Sequence, residues 1–318
     1  MKVFRSSQDA FGHFDRPAVA IGNFDGVHLG HRAIFARTRQ LANGAAAQRS
    51  AVVLTFEPHP ARHFRPDLAP PLITTEAQKL QLIERSGLDG VVIQPFDEAF
   101  AALTPARFVR QVLCEHLQAA HVVVGRTFVF GHDRAGNLEK LIALGEQHGF
   151  EAHGVEPVYS DGIVISSSKI REFVMMGRVE GAAALLGRTF AVTGRVVRGA
   201  GRGQTIGVPT ANLAANNELI PKRGVYAGTV ELVDLSNPDR GGARHPAVIN
   251  VGTAPTMRTT GEMVIEAHLL DFASDLVGRP LTVAFEHRLR DERRFPSVPD
   301  LVEAIRGDIQ RARELLGQ

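Results

Sequence analysis

The chain has one cysteine, no tryptophan and two tyrosines in 318 residues. A lone thiol, Cys114, excludes an internal disulfide and any cysteine-based metal cluster, and its helical surroundings, Phe108 to Cys114, predict a small buried hydrophobe. No apolar run approaches the roughly 18 residues of a membrane span. The N-terminus, Met1-Lys2-Val3-Phe4-Arg5-Ser6, lacks the apolar core of a signal peptide. The expectation is a cytoplasmic protein with no membrane partner. Charge of one sign is scarce too: 36 Lys and Arg stand against 34 Asp and Glu, split 19 to 19 up to residue 186 and 17 to 15 beyond it. Neither half carries the basic face that neutralises many phosphates, so a nucleic-acid partner is not expected. The phosphate-binding sequence G-x-x-x-x-G-K-[ST] is also missing, and any phosphate site must use another device.

What is present is the composition of an ordinary globular protein, 44% hydrophobic and 22% charged, long enough for two domains. Up to residue 185, short aliphatic runs (Ala51 to Leu54, Val91 to Ile93, Val122 to Val124) alternate with helical patterns (Glu76 to Ser86, Pro105 to Leu117). That rhythm predicts βαβ units around a parallel sheet, with nucleotides beyond the carboxyl ends of the strands. From Arg188 onward strands follow without helices, at Phe190 to Val197, Val225 to Leu232, Ala247 to Val251, Val264 to Leu270 and Leu281 to Phe285. An antiparallel barrel or sandwich is expected there. Ser297-Val298-Pro299-Asp300 has capping-box spacing and opens a closing helix with apolar Leu301, Ile305, Ile309 and Leu315. A helix end followed by Gly187 sets the domains at residues 1–186 and 187–318.

The most telling stretch is Ile21 to His31. The apolar run Ala18 to Ile21 leads through Gly22 and Gly26 into a helical pattern of Ile34, Phe35 and Leu41, so a helix opens near His28 to His31. Imidazoles at i and i+3 share a helix face, where free N–H groups of the first turn favour phosphate; the plainer reading makes them caps. Ser166-Ser167-Ser168-Lys169-Ile170-Arg171 gathers hydroxyls and two cations at another helix start. Between Gly199 and Asn212, glycines that include Gly201 and Gly207 permit close approach to oxyanions. Thr210 and Asn212 offer hard oxygen ligands for Mg²⁺ on a nucleotide phosphate, a plain hairpin being the alternative. Arg195, Arg198 and Arg202 either bind one small polyphosphate or line a solvated surface. Period 2 sets Glu266 and His268 on one face of a strand and Ile265, Ala267 and Leu269 on the other, making Glu266 a general base or a solvent-facing residue. His59, between two prolines, is a ligand contact or part of a rigid loop, and Arg290 to Phe295 reads as a solvated turn.

Taken together, Gly22 to His31, Phe56 to Pro60, Val124 to Gly131, Ile165 to Arg171, Gly207 to Asn212, Asn250 to Thr256 and Glu266 to Asp271 resemble one family over nearly the whole chain. The chain looks like the bacterial bifunctional riboflavin kinase/FMN adenylyltransferases. The resemblance implies an N-terminal Rossmann-like nucleotidyltransferase domain followed by an antiparallel β-barrel riboflavin kinase domain with a C-terminal helix. It implies His28 and His31 as catalytic groups of adenylyl transfer and Glu266 as the kinase base. Asn23, Asp25, Ser166, Ser167, Arg171, Gly201 and Gly207 would contact ATP or phosphate, and Phe56, His59, Phe128, Arg290 and Arg293 the flavin. Thr210 and Asn212 would hold Mg²⁺. ATP would convert riboflavin to FMN and ADP, and a second ATP would convert FMN to FAD with release of pyrophosphate. Three positions depart from the family: Thr127 stands where Asn or Asp is usual, Met257 where Phe is, and Ser168 where Thr is. The rivals are a nucleotidyltransferase for another phosphate, such as a pantetheine phosphate, and a flavin-binding regulator without catalysis.

Overall fold

Strand β2 (Ala18–Ile21) is four apolar residues long and buried throughout, as a central strand of a two-sided parallel sheet must be. It belongs to a computed structural model that describes residues 1–44, 48–199, 207–232, 242–253 and 263–317. Gly201, Arg202 and Met257 lie outside the described residues. The chain divides into two compact units, Met1–Ser166 and Ser167–Gln318.

In the first unit β1 (Lys2–Phe4), β2, β3 (Ala51–Glu57), β4 (Gly90–Pro95), β5 (His121–Gly125) and β6 (Glu151–Val155) form one parallel sheet in the order β1-β4-β3-β2-β5-β6. Successive residues of each strand feed opposite cores. Val19, Ile21, Val52, Leu54, Val122 and Val124 enter one, and Ala18, Ala20, Ala51, Val53, Val91 and Val123 the other. Helices α1 (Leu29–Ala42), α2 (Pro60–Phe64), α3 (Glu76–Arg85), α4 (Glu98–Ala101), α5 (Pro105–Phe108) and α6 (Leu138–His148) link the strands, and a hairpin of β7 (Tyr159–Ser160) and β8 (Ile163–Val164) ends the unit. Strand order reverses between β2 and β5, which opens a crevice beyond the carboxyl ends of these two strands. The helix expected over Pro105 to Leu117 is α5 followed by a π-helical segment, Val109–His116. Val109, Val112 and Leu113, at i, i+3 and i+4, all lie in the core. Cys114, on that segment, is half-buried rather than fully buried, and burial pushes its thiol pKa up.

The second unit opens with α7 (Ser167–Met175) and α8 (Val179–Leu186), ahead of the change of sequence rhythm at residue 187. Glu180 of α8 accepts the Arg288 backbone N–H at 3.2 Å, and Gly187 ends the helix at φ +66°. A closed antiparallel barrel follows, ordered β10-β13-β12-β11-β14-β9, from β9 (Phe190–Val197), β10 (Ala211–Ala215), β11 (Gly224–Leu232), β12 (Arg244–Thr253), β13 (Met263–Leu269) and β14 (Pro280–Arg290). Strand β10 was not legible as a strand, because Ala-Asn-Leu-Ala-Ala has little β-propensity. The closing helix, α9 (Val298–Leu316), is capped by Ser297 accepting the Asp300 N–H at 3.3 Å. Its buried Ala312 joins Val225, Ala227 and Val248 of the barrel.

Arg290 at the end of β14 reaches Asp308 of α9 through Nε at 3.0 Å and Nη2 at 2.7 Å. Asp308 is 8% exposed. Asp308→Ala leaves a half-buried guanidinium without its carboxylate and is expected to destabilise the protein by about 3 kcal/mol, read from the denaturant midpoint. An unchanged midpoint would show that water replaces the carboxylate.

Candidate active sites

The link from β2 to α1 is a strained turn built around two imidazoles. Phe24, Gly26 and Val27 have φ of +48°, +85° and +40°, and a left-handed β-branched valine is rarely tolerated without local compensation. The compensation comes from Asp25. It is 4% exposed and its carboxylate accepts the backbone N–H groups of Ile73 and Thr74 at 3.0 and 3.1 Å, while Thr74 Oγ1 accepts the Gly26 N–H at 3.2 Å. Asp25 thus fixes the turn against the 73–75 loop. Asn23, half-buried, takes the Thr55 hydroxyl on its backbone carbonyl at 3.1 Å.

His28 is the N-cap of α1, its Nδ1 accepting the His31 N–H at 3.3 Å. The two imidazoles stack with centroids 3.5 Å apart and planes 20° apart, and Phe24 meets His31 edge-on at 5.2 Å. His28 therefore caps the helix, as the plainer reading of the sequence has it, and the pair sits at a helix N-terminus beyond the carboxyl end of β2. A Cβ on Gly30 would lie 3.1 Å from Nδ1 and Cε1 of His28, so glycine there lets the ring lie over the first turn. Gly30→Ala is expected to displace that ring and to lower FAD formation, the activity that the sequence resemblance implies, by about 10-fold, with little change in melting temperature because the helix propensity gained with alanine, about 1 kcal/mol, offsets the weakened cap. An unchanged rate would mean that the ring position is immaterial.

Other expected residues line the same carboxyl edge. Phe56, near the end of β3, begins a chain of ring contacts through Phe100, Phe108 and Phe130 to Phe128, which stacks on Phe130 at 5.5 Å. Thr127 beside it is exposed. His59 Nδ1 accepts the Ala61 N–H at 3.1 Å and caps α2. The Ile165 carbonyl lies next to Gly30, which brings the start of the serine motif, Ser166, to α1; Ser167 and buried Arg171 belong to α7 of the second unit. Sequence reading missed Lys79. Its place one turn before buried Ile83 on α3 was the available signal, and burial lowers its pKa against the pull of Glu57 and Asp25.

In the barrel, Glu266 on β13 is paired in register with Asn212 of β10 on one side and Asn250 of β12 on the other. All three are half-buried, whereas Ile265, Ala267 and Leu269 are buried, so the expected division of faces holds. The register sets the Cβ atoms of Asn212 and Asn250 beside that of Glu266 on the same face. Asn250 opens one of the stretches that carry the resemblance, and its place beside Glu266 could not be seen before the strands were paired. His268, on the same face, donates its Nδ1–H to the Pro209 carbonyl at 2.8 Å, which ties the Thr210 segment to β13. A Cβ on Gly199 would lie 2.2 Å from Asn212 Nδ2, so that backbone runs against the amide, and Gly207 turns at φ +76°. The Thr210 hydroxyl and the Asn212 amide, two residues apart, are hard oxygen donors suited to Mg²⁺. Arg290 is committed to Asp308, and Arg293 lies over the Phe295 ring at 4.8 Å.

The two regions that hold these residues match known proteins in the same order along the chain. A family model described as FAD synthetase matches residues 13–169, and one described as riboflavin kinase matches residues 186–316. A bifunctional riboflavin kinase/FMN adenylyltransferase from Escherichia coli (strain K12) is 38% identical over 299 residues, 94% of this chain and 92% of that protein. Proteins of the same name from Pseudomonas fluorescens and Haemophilus influenzae are 37% and 34% identical, and the latter match covers 98% of both chains. A crystal structure described as a macrolide-efflux protein from Streptococcus pneumoniae superposes with a TM-score of 0.84 at 29% identity, covering 98% of each chain. Among the described residues no helix is long and apolar enough to cross a membrane. With both halves matched and relatives aligned nearly end to end, the chain belongs to the bifunctional riboflavin kinase/FMN adenylyltransferase family.

Proposed function

We infer that the chain carries out two successive ATP-dependent steps, phosphorylation of riboflavin to FMN and adenylylation of FMN to FAD. The observation that carries this reading is that each matched region holds its own polar group, an imidazole pair at a helix N-terminus in the first and a carboxylate in register between two amide-bearing residues in the second. We assign adenylyl transfer to residues 1–186 and phosphorylation to residues 187–318, with α7 and α8 packed as part of the second compact unit.

In the kinase step Glu266 accepts the proton of the flavin ribityl hydroxyl as that oxygen takes the terminal phosphoryl group of ATP, and ADP leaves. Thr210 and Asn212 hold Mg²⁺, which when bound steadies the ATP phosphates. Asn212 and Asn250 flank Glu266 in the strand register. In the second step the FMN phosphate oxygen attacks the α-phosphorus of ATP and the bond to pyrophosphate breaks. His28, His31 and the free N–H groups of the first turn of α1 stabilise the charge that builds on the α-phosphoryl oxygens. Ser166, Ser167 and Arg171 contribute to ATP binding, and the rings leading to Phe128 offer a flat apolar surface to the isoalloxazine. Arg290 and Arg293 are the flavin candidates at the barrel, and the use of ATP supports a cytoplasmic location.

Incubation of the whole protein with riboflavin, ATP and Mg²⁺ is expected to give FMN first and FAD after it, and chelation of the metal is expected to stop both. Failure to form FMN would remove the kinase reading, and FMN without FAD would remove the adenylyltransferase reading.

A further inference from the structure

At the end of the parallel sheet opposite the imidazole pair, three side chains converge that neither step uses. His121 opens β5 and is paired in register with Glu151 of β6, and His153 lies two residues beyond Glu151 on the same face. His121 Nδ1 and His153 Nε2 are 3.3 Å apart, and Glu151 Oε2 is 3.6 Å from each. A tetrahedral metal with bonds of about 2.0–2.1 Å to such donors requires them to lie about 3.3–3.4 Å from one another. The triangle therefore already has nearly the size of three ligands of one ion. Two imidazole nitrogens and one carboxylate oxygen suit zinc or a similar first-row metal rather than Mg²⁺, which prefers oxygen alone.

We propose that His121, Glu151 and His153 form a binding site for a divalent transition metal of the zinc type, with a fourth position open to water or an anion. The site joins the outermost strand, β6, to β5, and so would staple an otherwise exposed sheet edge. Both imidazoles are largely shielded from solvent, and this burial lowers their pKa values, which favours the neutral rings that metals bind. The surroundings oppose a bare cation in part: Arg16 and Arg49 from the loops before β2 and β3, and Arg37 from α1, face the two rings. Each guanidinium has a partner of its own, in Gly149 O, Arg16 O and Gln40 Oε1 respectively. Glu151 offsets one of these charges, and the arginines favour an anion as the fourth ligand.

The test is titration of the chelator-treated whole protein with Zn²⁺, followed by calorimetry, and with Co²⁺, followed by its visible absorption. The catalytic pair His28 and His31 is itself a possible zinc trap, so the His28→Ala/His31→Ala variant is titrated alongside. One equivalent is expected to bind in that variant and to be lost in His153→Ala and His121→Gln, with riboflavin phosphorylation in Mg²⁺ unchanged by either loss. Glu151→Gln, at an exposed position that does not threaten folding, is expected to weaken binding at least 10-fold. Zinc is expected to raise the melting temperature of the wild type but not that of Glu151→Gln. Zinc bound only through His28 and His31, or bound equally well without His153 or Glu151, would overturn the proposal and leave a simple hydrogen bond between two histidines.

Discussion

Replacement of His28 and His31 together by alanine is expected to lower FMN adenylylation by about 100-fold or more, the scale for losing placed charge stabilisation, and to leave riboflavin phosphorylation intact. The two rings are stacked at 3.5 Å over the first turn of α1, beyond the carboxyl end of β2, where the helix offers its free N–H groups. A complication is that His28 also caps this helix, so alanine removes about 1 kcal/mol of capping along with the imidazole. His28→Asn separates the two roles, because asparagine is among the best caps and has no imidazole. It is expected to hold the melting temperature and still lose most FAD formation. If His28→Asn keeps its rate, the ring is a cap and the chemistry lies elsewhere.

Glu266→Gln is expected to lower riboflavin phosphorylation by about 100-fold or more, the ordinary contribution of a positioned base. The amide keeps the size of the side chain between Asn212 and Asn250 and cannot take a proton, so the loss should fall on kcat and leave the KM for ATP nearly unchanged. FMN supplied directly should still become FAD. A full kinase rate in this variant would make Glu266 a solvent-facing strand residue, the reading that alternation on β13 equally permits. A loss of FAD formation from supplied FMN would instead break the assignment of the two steps to separate sites.

Much of this architecture was legible in the chain. The aliphatic runs of β2, β3, β4 and β5 could only be buried parallel strands, since each alternate residue had to meet an apolar core. The start of α1 at His28 followed from Gly26 and the Ile34, Phe35 pattern, and the cap of α9 from Ser297 and Asp300. The faces of β13 followed from period 2. Strand β10 and the widened turn after α5 were not legible, because alanine-rich and mixed apolar segments take their conformation from the neighbours they pack against.

The sequence by itself determined the two folds, their order and the glycine turns at Gly26 and Gly187. Local pattern is enough for that, since periodicity and backbone freedom are properties of neighbouring residues. Only the tertiary structure decided what each polar side chain is used for. The Asp25 carboxylate is met by backbone N–H groups of Ile73 and Thr74, and the Arg290 guanidinium by Asp308 of α9. Asn250 became a partner of Glu266, and His121 of Glu151 and His153, only when strand pairing fixed which residues lie side by side. A side-chain hydrogen bond or ligand set depends on angstrom distances between segments far apart in the chain, and no periodicity within a segment encodes them.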